Sequence, residues 1–277
     1  MRYENKPMKK ITVSLAVGVV LLGILAGFKK VESKLTVKNF SNSDSTLVVT
    51  AQPPAEKLHP EQVCLSMYDS LDLGKAGLSW EAFRYAWLGF QEGGFSKPIL
   101  AIADFSQSSR NKRLYVIDFQ KHKVLLNTYV AHGRNSGNEY ANKFSNQNSS
   151  YQSSLGFYRA LGTYQGKHGL SLRLEGLEKN INDQALTRAI VMHGADYVSE
   201  AFIRQTGRLG RSLGCPAVSN ADHKPLIELL QNGAGLFLYY PDVTYLRSSE
   251  ILKKAVASLV DPVHQMAPLS SPYTSSK

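Results

Sequence analysis

From Pro98 onward the chain stops spacing its apolar residues as a helix would and sets them in short runs rich in β-branched and aromatic side chains. That switch limits the possible folds more than any other feature of the sequence. The runs cover residues 99–105, 113–119 and 124–130, separated by polar stretches at 106–112 and 120–123, which is the pattern of successive strands joined by turns. Further strands are expected at 154–161, 171–174, 189–193 and 236–240, with a helix over 222–231 ahead of the last. Upstream, Val63, Leu65, Met67 and Leu71, then Ala82, Phe83, Ala86, Trp87 and Phe90, recur at helical spacing and predict two helices between Glu61 and Glu92. Ser79 is placed to cap the second helix and Gly93-Gly94 to stop it. Neither a GxGxxG nor a GxxxxGKS loop is present, so a dinucleotide-binding or P-loop fold has no support. The expected fold class is α+β, mainly β, around one core.

The two ends of the chain read differently. Lys9 and Lys10 precede an uncharged apolar stretch, residues 11–28, so residues 1–28 are expected to act as a signal peptide or membrane anchor. Phe28 stands where a lipoprotein signal would need a cysteine, and Lys29 and Lys30 blur the charge asymmetry that orients such a segment. Residues 29–60 are polar and without period, which fits a linker. Residues 61–245 are expected to form the folded domain, including the N-terminal helices, and 246–277 a C-terminal extension whose Ser- and Pro-rich end is partly disordered. A formal charge of +10 implies attraction to an anionic partner. The basic residues are scattered and carry no nucleic-acid-binding motif, so nucleic acid is excluded as that partner. The chain is expected to be a monomer.

Two cysteines, Cys64 and Cys215, are too few for a disulfide framework and, with no CxxC pair, do not make a zinc site. One bridge or two free thiols remain open. Cys64 lies in a helical pattern and reads as a small core residue. Cys215 stands in Ser212-Leu213-Gly214-Cys215-Pro216, downstream of the apolar run that ends in His193-Gly194. A thiol becomes a nucleophile when a neighbour takes its proton or stabilises its thiolate, and an imidazole does either at neutral pH. His193 is therefore the candidate base. Gly214 permits a tight turn in which the N–H groups of Gly214 and Cys215 face an oxyanion, an interaction worth ~3 kcal/mol in such sites. Ser212 donates to that oxyanion, holds the loop through a local backbone bond, or does both. His132 and His168 also precede glycines; His168 is the second candidate, for a substrate contact, while His132 reads as a polar residue at a strand end. Arg208 and Arg211, just before the motif, are candidate partners for a substrate carboxylate, and Tyr158, Tyr164 and Tyr197 candidate groove residues. No carboxylate stands out to orient His193, which leaves a main-chain carbonyl for that task.

His193-Gly194 followed by Ser-Leu-Gly-Cys resembles the L,D-transpeptidase catalytic domain, the YkuD-like family. The likeness to its murein branch extends to Ser154-Leu155-Gly156, Gly166-Lys167-His168-Gly169, Ser171-Leu172-Arg173-Leu174 and His193-Gly194-Ala195-Asp196-Tyr197. The resemblance implies a mixed sheet or β-sandwich with the catalytic cysteine in a groove, and peptidoglycan stem peptides as substrate. It implies acylation of Cys215 with release of a terminal D-amino acid, then transfer of the acyl group to an amine, with no cofactor or metal. It also implies an exported enzyme of the periplasm or cell envelope, held at the inner membrane if the N-terminal segment is uncleaved. The chain departs from the family pattern at Leu213, where a His is common, and at Ala217, where an Arg commonly stands. Two alternatives remain: an L,D-carboxypeptidase or endopeptidase that gives the acyl group to water, and a non-catalytic peptidoglycan-binding protein.

Overall fold

Residues 59–259 are described by a computed structural model; the expected membrane segment, nearly all of the linker and the end of the tail lie outside the described residues. Among the described residues no helix is long and apolar enough to cross a membrane.

The first two elements are helices, α1 (Pro60–Ser70) and α2 (Trp80–Glu92). Pro60 opens α1, where a missing N–H costs nothing. In α2 the Ser79 hydroxyl accepts from the Ala82 N–H, the cap that the sequence called for. Strands β1 (Ile99–Asp104), β2 (Leu114–Asp118) and β3 (Lys123–Thr128) follow as an antiparallel meander. Next come β4 (Gly156–Gly166), β5 (Gly169–Gly176), β6 (Val191–Gly194), helix α3 (Glu200–Thr206), the two-residue β7 (Ala217–Val218), α4 (His223–Leu230), β8 (Gly235–Tyr239), α5 (Val243–Ser248) and α6 (Glu250–Ala257).

The eight strands form one mixed sheet in the order β3-β2-β1-β8-β4-β5-β6-β7. The last strand in sequence thus lies in the middle, parallel to β1 and antiparallel to β4. Every residue of β8 is buried, as a central strand covered on both faces requires. Alternate residues divide between two cores. Leu100, Ile102, Tyr115, Ile117 and Phe237 face α1, α2 and α6, whereas Ala101, Ala103, Leu114, Val116 and Leu236 join α4 on the other face. Leu252 and Ala255 bury α6 in the first core, so residues 250–257, within the expected C-terminal extension, are packed structure.

The sheet nearly closes on itself. Beyond the end of β3, Ala131 bridges Ala217 of β7 and Gly133 bridges Ser212. The Ala131 and Ala217 N–H groups each donate to the other's carbonyl, at 2.8 and 3.4 Å. This seam joins the two edge strands and sets the Ser212–Cys215 turn against the loop that follows β3.

Candidate active site

The site is assembled from β6, the turn before β7, and the hairpin joining β4 to β5. Register fixes His193, which pairs with Ser171 of β5 on one side and Ala217 of β7 on the other. Because Cys215 lies two residues before Ala217, the thiol is carried to the strand that bears the imidazole. A cavity of about 380 Å³ has both on its wall, together with Lys167, His168, Arg188, Tyr197, Arg211, Ser212 and Leu213.

His193 is buried, and its Nδ1 lies 2.9 Å from the Gly194 carbonyl. A carbonyl only accepts, so Nδ1 carries the hydrogen and Nε2 is left as the basic nitrogen. Burial holds the imidazole below its usual range, and the nearby His168, Lys167 and His223 push in the same direction, against the Gly194 bond. The His168 ring stacks on His193 with centroids 4.3 Å apart and planes 18° from parallel. His168 stands at the tip of the β4–β5 hairpin, where Gly169 has φ +77° and the turn is accessible to glycine without strain.

Cys215 is half-buried and free, as is Cys64; of the alternatives left by the sequence, the two thiols are unbridged. Burial pushes the Cys64 thiol up to about 12, which suits an inert core residue. Burial raises Cys215 as well; the Val191 N–H and the charges of Arg188 and Lys167 oppose the rise. At rest the Cys215 thiol is directed to the Ala189 carbonyl, 3.8 Å away.

The turn itself amends one expectation. Gly214 has φ +122°, and a Cβ there would lie 2.8 Å from the Gln152 carbonyl oxygen, so the position needs glycine. Its N–H, however, donates to the Ser212 hydroxyl at 3.0 Å, and that hydroxyl donates to the Cys215 carbonyl at 2.6 Å. Ser212 therefore holds the loop, and the Gly214 N–H is engaged within the turn rather than open to an oxyanion. The Cys215 N–H has no acceptor among the described residues.

The arginines separate. Arg208 gives Nη1 to the Leu209 carbonyl and lies outside the cavity wall. Arg211 is on it. Its Nη1 reaches the Arg134 and Gly137 carbonyls and Asn138 Oδ1, at 3.2, 3.1 and 2.8 Å, while Nε and Nη2 have no partner among the described residues. Tyr197 lines the cavity with its hydroxyl pushed up by burial to about 12. Tyr164 lines it too, under the Arg173 guanidinium. Tyr158 is wholly buried and bonded to the Ser154 carbonyl, away from the site. His132 accepts from Arg113 in the interior, where desolvation and that neighbour lower it to about 3.

Arg188 is the residue that the sequence did not reveal. Its guanidinium donates to the Ser145 and Gln152 carbonyls at 2.9 and 2.6 Å, and Nη2 would lie 3.2 Å from a Cβ on Gly214. It stiffens the floor of the turn and places positive charge beside the thiol. Its position just ahead of the strand that carries His193 was the available signal, but nothing distinguished it among 32 lysines and arginines.

Residues 75–239, more than half of the chain, match the family model described as L,D-transpeptidase catalytic domain. No curated protein matches. Among solved structures, an L,D-transpeptidase from Mycobacterium smegmatis is 13% identical with a TM-score of 0.33, covering 52% of this chain and 59% of that one. An L,D-transpeptidase from Mycobacterium tuberculosis H37Rv is 14% identical with a TM-score of 0.31, over 52% and 58%. One from Stackebrandtia nassauensis is 18% identical with a TM-score of 0.30, over 57% and 66%. The chain thus spans less than two-thirds of the length of each. The family match, rather than these distant likenesses, decides the assignment: the chain belongs to the L,D-transpeptidase catalytic-domain family.

Proposed function

We propose that the protein is a peptidoglycan L,D-transpeptidase that works through a thioester on Cys215. The observation that carries this reading is the meeting, in one cavity of a chain of this family, of a free thiol, a buried imidazole with a defined tautomer, and an arginine with an open edge. His193 Nε2 takes the thiol proton as sulfur attacks the carbonyl carbon of a stem peptide, and gives it to the departing D-amino acid. The Gly194 carbonyl holds the ring and stabilises the imidazolium that forms between these transfers. The Cys215 N–H is the oxyanion donor, and the Nε/Nη2 edge of Arg211 receives a carboxylate as a bidentate pair. An amine then attacks the thioester; water in its place gives trimming rather than cross-linking. The catalytic domain is placed in the cell envelope by export through residues 1–28, where the chain's positive charge favours the anionic wall.

Intact-mass spectrometry after incubation with a carbapenem or a tetrapeptide stem tests the nucleophile. Cys215→Ala is expected to give no adduct and Cys64→Ser to keep it. An adduct that persists without Cys215 would sink the assignment. Product analysis with tetrapeptide muropeptides separates transfer to an amine from hydrolysis.

A further inference from the structure

The base of the thioester mechanism has a neighbour which that mechanism leaves idle. His168 is exposed and His193 buried, and their rings lie face to face, 4.3 Å between centroids and 18° from parallel. The hairpin that carries His168 overhangs the sheet at this point. β5 pairs with β6 only from Ser171↔His193 to Arg173↔Val191, whereas it pairs with β4 as far as Gly166↔Gly169. The overhang is braced. The Ser171 hydroxyl donates to the Gly169 carbonyl at 3.1 Å. The Arg173 guanidinium lies 4.5 Å from the centre of the Tyr164 ring and gives Nη1 to the Thr163 carbonyl at 3.2 Å. A Cβ on Gly166 would lie 2.8 Å from Tyr164 Cε2, so the Tyr164 ring packs directly on the backbone of the tip. His168 is therefore presented by a stiff turn.

Parallel rings cannot pass a proton between them. The N–H and the lone pair of an imidazole lie in the ring plane, so a face-to-face pair shares no hydrogen bond. His168 thus neither relays a proton to His193 nor orients it as a carboxylate would. A ring face can instead fix a plane. His193 has use for that, because among the described residues its ring makes one hydrogen bond, from Nδ1 to the Gly194 carbonyl at 2.9 Å, and no carboxylate backs it. The carbonyl itself is well anchored. Gly194 pairs with Val218, the Ala195 N–H donates to the Val218 carbonyl at 2.9 Å, and a Cβ on Gly194 would lie 2.5 Å from Asn220 Oδ1. A single bond at Nδ1 nevertheless leaves the tilt of the ring loosely held, and Nε2, on the far side of the ring, moves most when it tilts.

We propose that His168 is a positioning residue for the base: the face of its ring holds the plane of His193, which keeps Nε2 aimed at Cys215 and at the departing amine, and its nitrogens take no part. This rests on the thioester reading above and gives His168 a different task from the substrate contact expected of it. The two constraints are complementary. The Gly194 carbonyl selects the tautomer, and the His168 face limits the tilt.

The test uses the full chain carrying Cys64→Ser, a tetrapeptide stem as donor, and two replacements of His168. Phenylalanine keeps a flat face and has no nitrogen; alanine has neither. Intact mass first records acylation of Cys215 with His168 in place, and absence of that adduct counts against the thioester reading and removes this inference with it. With the adduct formed, His168→Ala is expected to acylate about tenfold more slowly at saturating donor, the order of loss that follows when a reacting group is held less firmly. The half-saturating donor concentration should change by less than about twofold, since the ground-state contacts of the donor are untouched. His168→Phe should recover the rate to within about threefold of the parent, because the stacked face is restored. Alkylation of Cys215 by iodoacetamide needs no base and should be alike in all three proteins. His168→Phe as slow as His168→Ala would mean that a ring nitrogen is needed, as for a hydrogen bond to substrate, and overturns the inference. So does His168→Ala at the parent rate, or an equal loss of alkylation and acylation, which would make His168 a support for the cavity as a whole.

Discussion

At the scale of single residues, one cause drives the two groups of the proposed mechanism apart. Burial lowers His193 from 6.5 and raises Cys215 from 9.0, because each would have to carry a charge in a poorly solvated place. Between those two limits Cys215 is a thiol and His193 a neutral imidazole, so in the proposed mechanism the proton moves only when sulfur attacks. Alkylation of Cys215 by iodoacetamide, read in a Cys64→Ser background, should therefore climb steadily from pH 6.5 past pH 9, following the thiolate fraction. Acylation by a bound stem should level off while alkylation is still climbing, since the base titrates below 6.5. An alkylation plateau starting below pH 7 would reveal a preformed thiolate–imidazolium pair and contradict this picture. Cys215 and His193 were legible in the sequence because a Gly-Cys turn and a His-Gly strand end have few other uses together. The division of labour within the turn was not: a serine hydroxyl can face an oxyanion or its own backbone, and only the 3.0 and 2.6 Å contacts of Ser212 decide between them.

Among the elements, those that bury a continuous apolar run could be read in advance, and those held by a few polar contacts could not. β1, β2, β8, α2 and α4 announce themselves through runs that enter one of the two cores. Helix α3 buries no residue, so its only marks were the Ser199 cap and Gly207 at φ +76°. β7 has two residues and exists because β6 and Ala131 flank it. The short helices α5 and α6 are tied in by a carboxylate. Glu178, buried after β5, accepts from the Phe157 N–H at 2.7 Å, from the Tyr245 hydroxyl at 3.3 Å and from Ser249. Desolvation raises its carboxyl above the usual range even though all three bonds favour the charge. An acid whose folded-state pKa is raised binds protons more readily folded than unfolded, so its ionisation costs stability as pH rises from the unfolded value of 4.5 through the folded one. Glu178→Gln keeps the shape and cannot ionise. Urea melts at pH 4.5 and 7.5 are therefore expected to show the wild type losing more stability than the variant as pH rises, and a wild type that gains on the variant would place the carboxyl below its normal range instead.

For the molecule as a whole, closure of the sheet turns a strand framework into a site. The meander and the central β8 could hold together without the Ala131–Ala217 and Gly133–Ser212 bridges, but the Cys215 turn would then have no wall. No pattern of alternation along one strand encodes which two edges meet, which is why the closure was absent from the sequence reading although every strand except the two-residue β7 was present. The seam also reaches the cavity wall, since the loop after β3 braces Arg211 there. Gly133 tests whether this link governs function. A Cβ there would lie 2.6 Å from the Tyr151 carbonyl oxygen and 2.9 Å from the Ser153 nitrogen, both backbone atoms that must shift, and Gln152 between them is the residue against which Gly214 packs. Gly133→Ala should cost about 1–3 kcal/mol of stability, the usual penalty for forced overpacking. Cooperative unfolding should survive, because Gly133 meets only the backbone of residues 151–153, and the buried cluster at the seam, Ala131, Ala195, Val198, Leu209 and Ala217, is small beside the two larger cores. Acylation of Cys215 should fall more than tenfold at a temperature where circular dichroism shows the variant folded. Gly162→Ala, at a position with nothing within 4 Å of the added carbon, is the matched control for a glycine replaced elsewhere in the same sheet. If Gly133→Ala acylates like that control, the position of Cys215 is set by the turn alone and the closed seam is only a support for the fold.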